Sequence, residues 1–205
     1  MPFIFSENNL YVWQIEEPFD ELYAHLDRKE LYEPFLNQHR SGERKQEWVA
    51  VRVLLKEVLG YEAEIAYHKN GEPYLPGCSH NISISHTCGF VAVLLNNEKR
   101  VGVDIEKRSD KILRLAPKFI NTNEEYISDN DKPLHLLLHW SGKESVYKAL
   151  GKEGVVFAEQ LLVGPFEPEK SGSFQLKAKT NDSETLFAVH YKVDNFFVLT
   201  WTESP

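Results

Sequence analysis

Sulfur is scarce in this chain, which has two cysteines and one methionine among 205 residues. Cys78 and Cys88 are too few for a disulfide framework, so a reduced compartment is expected. No apolar run approaches the roughly 18 residues that a membrane helix needs. The opening residues, MPFIFSENNLYVWQIEE, lack a basic stretch, an apolar core and a small-residue cleavage site in series. A cytoplasmic protein without a signal peptide is therefore expected. Positive charge is in deficit as well, with 23 Lys and Arg against 31 Asp and Glu and a formal net charge of −8. So acidic a chain is a poor candidate for gripping nucleic acid over a broad face, while a local basic pocket for a small anion stays compatible with it. Ser/Gly linkers, low-complexity tracts and short tandem repeats are missing too.

What is present is the composition of a soluble globular protein: 42% hydrophobic, 26% charged, and 12 Phe, 9 Tyr and 4 Trp for a packed core. At about 150 residues per domain, the length fits one large domain or two small ones. Strand-like stretches at 3–5 and 10–15 lead to a helix near Pro18. Trp48, Val51, Leu55 and Leu59 recur at helical spacing over 43–59, and Gly60 follows as a stop. Strands are expected at 64–67, 81–85, 90–95 and 101–106, with turns at Lys69-Asn70-Gly71 and Asn96-Asn97. Helices follow at 111–119, at Thr122 (where Thr122 and Glu125 have capping-box spacing) and over 133–150, which Gly151 ends. The remainder reads as strands at 155–157, 161–163, 174–179, 185–191 and 196–201. Without regular βαβ alternation, an α+β fold is favoured over a doubly wound sheet.

Three segments carry chemistry. In Val101-Gly102-Val103-Asp104-Ile105-Glu106, strand alternation puts Asp104 and Glu106 on one face, about 7 Å apart along the backbone. Two such carboxylates repel unless a cation sits between them, and hard oxygen ligands suit Mg²⁺; a solvent-facing acidic strand end is the plainer alternative. In Trp140-Ser141-Gly142-Lys143-Glu144-Ser145-Val146-Tyr147-Lys148, the residues Trp140, Glu144 and Lys148 lie along one helical stripe. Glu144 can complete a three-carboxylate site while Lys148 reaches a phosphate oxygen, or the two can form an ordinary helix salt bridge. Ser83-Ile84-Ser85-His86-Thr87 ends a strand with hydroxyls and an imidazole able to hold a phosphate. A zinc site of Cys78, His80, His86 and Cys88 is a rival, but its spacing matches no usual finger or ribbon.

Taken in order, K-N-G-E-P-Y-L, S-I-S-H-T, V-G-V-D-I-E and W-S-G-K-E-S-V-Y-K resemble the 4′-phosphopantetheinyl transferases, in particular their long, monomeric, Sfp-like class. The resemblance runs by motif from about Arg44 to Lys148. It implies a pseudo-dimer of two similar α+β halves, 1–100 and 101–205, each a small, mostly antiparallel sheet with a packed helix, and an active-site cleft between them. It implies transfer of 4′-phosphopantetheine from coenzyme A to a serine of an apo acyl or peptidyl carrier protein, with Mg²⁺, releasing adenosine 3′,5′-bisphosphate. No nucleic acid or membrane is implied as a partner. Asp104, Glu106 and Glu144 match the family's Mg²⁺ ligands, Lys148 its phosphate-contacting lysine, and Lys143 the lysine beside the metal-binding glutamate. Ser85 and His86 match the residues at the adenosine phosphate end of coenzyme A, and Arg44, Lys45 and Arg52 lie where basic residues meet its phosphates. Glu124 matches a glutamate used as general base in some members; Glu125, placed for a capping box, is the weaker match. One departure stands out: members often read Gly-Lys-Pro where this chain has Gly71-Glu72-Pro73, which makes Lys69 the candidate to supply the missing charge. A Mg²⁺-dependent phosphohydrolase and a catalytically silent carrier-binding homologue are the alternatives.

Overall fold

The computed structural model describes residues 3–124, 127, 131–180 and 183–205. The N-terminal part contains β1 (Phe5–Glu7), β2 (Leu10–Gln14), α1 (Phe19–Ala24), α2 (Glu33–Gln38) and α3 (Gly42–Leu59). A minimal hairpin of β3 (Ala66–Tyr67) and β4 (Pro73–Tyr74) follows, then β5 (Asn81–Thr87) and β6 (Phe90–Asn96). Beyond residue 100 come β7 (Val101–Lys107), α4 (Ile112–Leu115), α5 (Lys132–Leu150), α6 (Phe157–Gln160), β8 (Leu161–Val163), β9 (Ser171–Thr180), β10 (Ser183–Val193) and β11 (Phe197–Glu203). One sheet has the order β1-β2-β6-β5 and the other β7-β11-β10-β9-β8, every pairing antiparallel. The fold is α+β, as the lack of βαβ alternation indicates.

Period-2 side-chain alternation explains how the layers stack. On β6, Val91, Val93 and Leu95 turn towards α3, whereas Ala92 and Leu94 turn towards the second sheet. On β7, Val101, Val103 and Ile105 meet that same central core, together with Leu10 and Val12 of β2 and Phe197 and Leu199 of β11. Val198, between the last two, faces the core under α5, where Leu138 and Val146 pack on Phe174, Leu176 and Val189. The layers thus run helix, sheet, sheet, helix. The strands of the first sheet all precede residue 100 and those of the second all follow it, yet the central core draws on both.

The edge strands β5 and β7 meet along a seam that has no ladder hydrogen bonds. Instead Ser83 Oγ accepts the Val103 N–H at 3.0 Å and Ser85 Oγ accepts the Ile105 N–H at 3.3 Å. Two hydroxyls therefore satisfy backbone donors that an exposed edge would leave open. The two long helices start and stop where local chemistry directs. Ser41 Oγ accepts the Arg44 N–H at the start of α3, and Gly60 at φ 75° closes it. Gly151 at φ 58° closes α5 in the same left-handed way. Elsewhere the observed elements depart from the sequence pattern. The helix expected over 111–119 is split into α4 and a 3₁₀ turn over 116–118, because Pro117 has no N–H to continue it. Val155 and Val156 lead into α6, which begins at Phe157, so no strand forms over 155–157. Thr122 opens a 3₁₀ turn, while Glu125 lies outside the described residues.

Candidate active site

Gly102 decides how closely α5 can approach β7. A Cβ there would lie 1.7 Å from the Ser145 carbonyl oxygen and 2.7 Å from its carbon, so only glycine lets the helix lie against the strand. Gly102, Asp104 and Glu106 share the strand face that α5 covers, and the helix presents Trp140, Ser141, Glu144 and Lys148 to it. Ser141 Oγ donates to Asp104 Oδ2 at 2.8 Å, and Ser85 Oγ donates to Asp104 Oδ1 at 3.0 Å. Lys148 Nζ donates to that same Oδ1 at 3.0 Å and to the Val103 carbonyl at 2.8 Å. Trp140 Nε1 donates to Glu106 Oε1 at 2.8 Å. The stripe read from the sequence is real, and the ion pair of Lys148 is with Asp104 across the helix–strand interface.

Three carboxylates in so small a space disturb one another. Burial, then the charge of Asp104, raises the Glu106 carboxyl above its usual range despite the Trp140 bond and Lys148. Burial, then Asp104, pushes Glu144 up to about 7; Lys148 opposes the shift and Glu106 adds to it. Among the described residues, no three His, Cys, Asp or Glu side chains converge into a closed metal cage. The mutual repulsion and the hard oxygen donors nevertheless suit a divalent cation that keeps waters and recruits ligand oxygens.

Beside the carboxylates lies a cleft of about 320 Å³, within the range of small-ligand sites. Trp48, Val51 and Arg52 of α3, Tyr67 and residues 70–73 of the hairpin, 82–84 and His86 of β5, and Glu144, Tyr147, Lys148, Gly151 and Lys152 at the end of α5 line it. Its cations are Arg52, Lys148 and Lys152, with the His86 imidazole beside them; its carboxylates are Glu72 and Glu144. Arg52 is buried, with its guanidinium 3.1 Å from the Trp48 ring centroid, and burial brings its pKa down to about 10. Its Nη1 donates to the Trp48 carbonyl at 2.9 Å. His86 is half-exposed and its Nδ1 meets Glu47 Oε2 at 2.9 Å. Burial alone would raise the Glu47 carboxyl, but the His86 bond and charge, the Gly89 N–H and Arg44 together hold it below its usual range.

Several residues singled out by motif lie elsewhere. Glu124 is 2% exposed and Lys143 0%. Lys143 Nζ donates to Glu124 Oε2 at 2.9 Å and to the Phe119 carbonyl at 2.5 Å. Glu124 also accepts the N–H groups of Asn121 (2.6 Å) and Val163 (2.9 Å), and His139 Nδ1 lies 3.3 Å from Oε1. Neither residue lines the cleft. Both oxygens of Glu124 are engaged by protein donors, and Lys143 is its buried ion-pair partner. Ser85 is turned into the seam and held by Asp104 and Ile105. Lys45 lies on a separate groove with Phe19 and Glu33, and Arg44, which does not line the cleft, acts by its charge on Glu47. Lys69 is not among the cleft residues, and Glu72 pairs with Arg100. The four proposed zinc ligands are not brought together: Cys78 contacts His80 Nδ1 at 2.9 Å while His86 is held by Glu47. Motif reading missed Tyr67, Glu47 and Arg100, whose roles depend on contacts far apart in sequence, and Trp48, which lies at i, i+4 spacing from Arg52. Ser141 and Tyr147 lay inside the helical motif and were findable from its spacing.

A cleft that sets cations and clustered carboxylates at the seam of two sheets is suited to a phosphorylated substrate. Residues 100–200 match the family model described as the 4′-phosphopantetheinyl transferase superfamily. The chain is 29% identical over 133 residues to the 4′-phosphopantetheinyl transferase AcpT of Salmonella typhimurium, an alignment covering 62% of this chain and 69% of that protein. It is 34% identical over 110 residues to the 4′-phosphopantetheinyl transferase gsp of Aneurinibacillus migulanus, covering 50% of this chain and 45% of that one. It is 39% identical over 93 residues to the enterobactin synthase component D of Salmonella typhi, covering 43% and 36%. Residues 100–200 are thus a 4′-phosphopantetheinyl transferase superfamily domain, and the relatives that the chain matches include enzymes named for that activity.

Proposed function

We propose that the cleft binds coenzyme A and that the enzyme moves its 4′-phosphopantetheine group to a serine of an apo carrier protein, with adenosine 3′,5′-bisphosphate as the leaving group. One observation carries this reading: Glu144 lines a cleft whose walls supply Arg52, Lys148 and Lys152, and just behind it burial and the charge of Asp104 raise both Glu106 and Glu144. Such carboxylates need a cation, and such walls need an anion.

Asp104, Glu106 and Glu144 would hold a Mg²⁺ ion, whose positive charge offsets what builds up as the phosphoanhydride breaks. Glu144 must first give up the proton that its raised pKa retains near neutrality. Lys148 already stands on Asp104, so its ammonium is positioned to follow negative charge placed against that carboxylate. Ser141 and Ser85 fix the Asp104 carboxylate from both oxygens, which keeps it aimed without its own rearrangement. Glu47 engages Nδ1 of the His86 ring, so Nε2 is the nitrogen that can donate to a phosphate oxygen when the ring carries a second proton. Arg52, backed by Trp48, presents a guanidinium that packing has already immobilised, so little side-chain entropy is lost when it meets an anion.

The test follows adenosine 3′,5′-bisphosphate by chromatography in reactions of the enzyme with coenzyme A and Mg²⁺. Release that requires an apo carrier supports the transferase. Release at a comparable rate without carrier identifies a phosphohydrolase, and no release with carrier present identifies a silent homologue.

A further inference from the structure

We propose that Arg100 is a positioning residue which, with Glu72, clasps the β3–β4 turn to the C-terminus of α5 and thereby sets the opening of the cleft; the role in coenzyme A binding rests on the reading given above. The hairpin has only two residue pairs, Ala66 with Tyr74 and Tyr67 with Pro73. So short a hairpin is not stable by itself, and its place must come from tertiary ties. The turn it carries forms one wall of the cleft, and Gly151 and Lys152 form part of the facing wall.

Arg100 joins those walls. Its Nε donates to the Ala149 carbonyl at 3.1 Å, and its Nη2 pairs with Glu72 Oε1. Ala149 belongs to the last turn of α5, where unpaired carbonyls and the helix dipole favour a cation. The guanidinium lies against Gly151: a Cβ there would sit 1.6 Å from Nη2 and 3.0 Å from Glu72 Oε2. Glycine at 151 is favoured by its positive φ, and a side chain there would have to displace the Arg100 guanidinium. Both ends are held. The Ser204 N–H donates to the Arg100 carbonyl at 2.8 Å. Glu72 donates its N–H to Asn70 Oδ1 at 3.1 Å and accepts the His68 N–H on its carbonyl at 2.9 Å. The side chains are 44% and 28% exposed, so the pair is screened by salt and can open.

This contact gives glutamate at 72, where the resemblance leads one to expect lysine, a partner of its own. A lysine at 72 would face Arg100 instead of pairing with it. The experiment measures steady-state kinetics for coenzyme A, and amide exchange of residues 66–74 in the ligand-free enzyme, for wild type, Glu72→Lys, Arg100→Glu and the double exchange. Each single variant should raise KM for coenzyme A by up to about five-fold, the range open to an exposed ion pair, with kcat within about two-fold. Each should also speed exchange of the turn, and the double variant should recover much of both. A KM lowered by Glu72→Lys, or turn exchange unchanged in both single variants, overturns the clasp. Exchange that follows the clasp in an enzyme that does not bind coenzyme A at all would uphold the contact and overturn the substrate reading.

Discussion

Glu144→Gln should change how the stability of the metal-free enzyme depends on pH. The Glu144 carboxyl titrates near 7 in the folded protein, against a reference of 4.5, because burial and then Asp104 disfavour its charged form. Between those values the folded state holds a proton that the unfolded state has lost. Stability of the wild type therefore falls as pH rises from about 4.5 to about 7 and levels off above, while the folded and unfolded states bind that proton alike below 4.5. The full shift corresponds to about 3 kcal/mol, and partial contact with solvent reduces this to about 1–2 kcal/mol. Urea midpoints by tryptophan fluorescence at several values between pH 4.5 and 8 give the profile. Glu144→Gln should match wild type near pH 4.5 and exceed it by about 1–2 kcal/mol at pH 8, with a shallow residual slope because Glu106 is raised as well. Millimolar Mg²⁺ should stabilise wild type more at pH 8 than at pH 5.5 and stabilise the variant little. Equal slopes in the two proteins would refute the repulsion on which the metal assignment rests.

Gly102→Ala should lower stability by about 2–4 kcal/mol and abolish transfer, because a Cβ there overlaps the Ser145 carbonyl and pushes α5 off β7; thermal melts and product assays check both. Glu124→Gln leaves Lys143 buried without its counter-charge and should destabilise by about 3–5 kcal/mol, while kcat of the protein still folded stays within a few-fold. A thousand-fold fall in kcat at unchanged stability would return Glu124 to the role of base. His135, fully buried, has its pKa brought down from 6.5 to about 4 by burial and then by His139. The folded ring stays neutral where the unfolded ring is charged, so stability should fall as pH drops from about 6.5 to 4, and His135→Phe should flatten that limb in urea titrations.

Sequence periodicity made the centre of the site legible. Asp104 and Glu106 share a face because strands alternate, and Trp140, Glu144 and Lys148 share a stripe because helices turn every 3.6 residues. Glycines at 60 and 151 marked helix ends for the same local reason. Adjacency in a motif misled where periodicity was not consulted: Lys143 precedes Glu144 by one residue, so it points about 100° away around the helix, into the core with Glu124. The hydroxyls of Ser83 and Ser85 invite a phosphate when read alone. Only the meeting of two sheet edges, which no local pattern encodes, shows that they cap the backbone of β7. Glu72 likewise reads as an unwelcome negative charge until Arg100, 28 residues away in sequence, is seen against it.

The measurement that bears most directly on the account is the intact mass of an apo carrier protein after incubation with coenzyme A, Mg²⁺ and either wild type or Asp104→Asn. Asp104 is held by Ser85, Ser141 and Lys148, and asparagine keeps its shape while removing its charge. Wild type should add one phosphopantetheine to the carrier, mapped by fragmentation to a serine, and Asp104→Asn should add none while keeping the circular dichroism of the folded enzyme. Equal modification by the two proteins, or no modification by wild type, would contradict the assignment of this cleft.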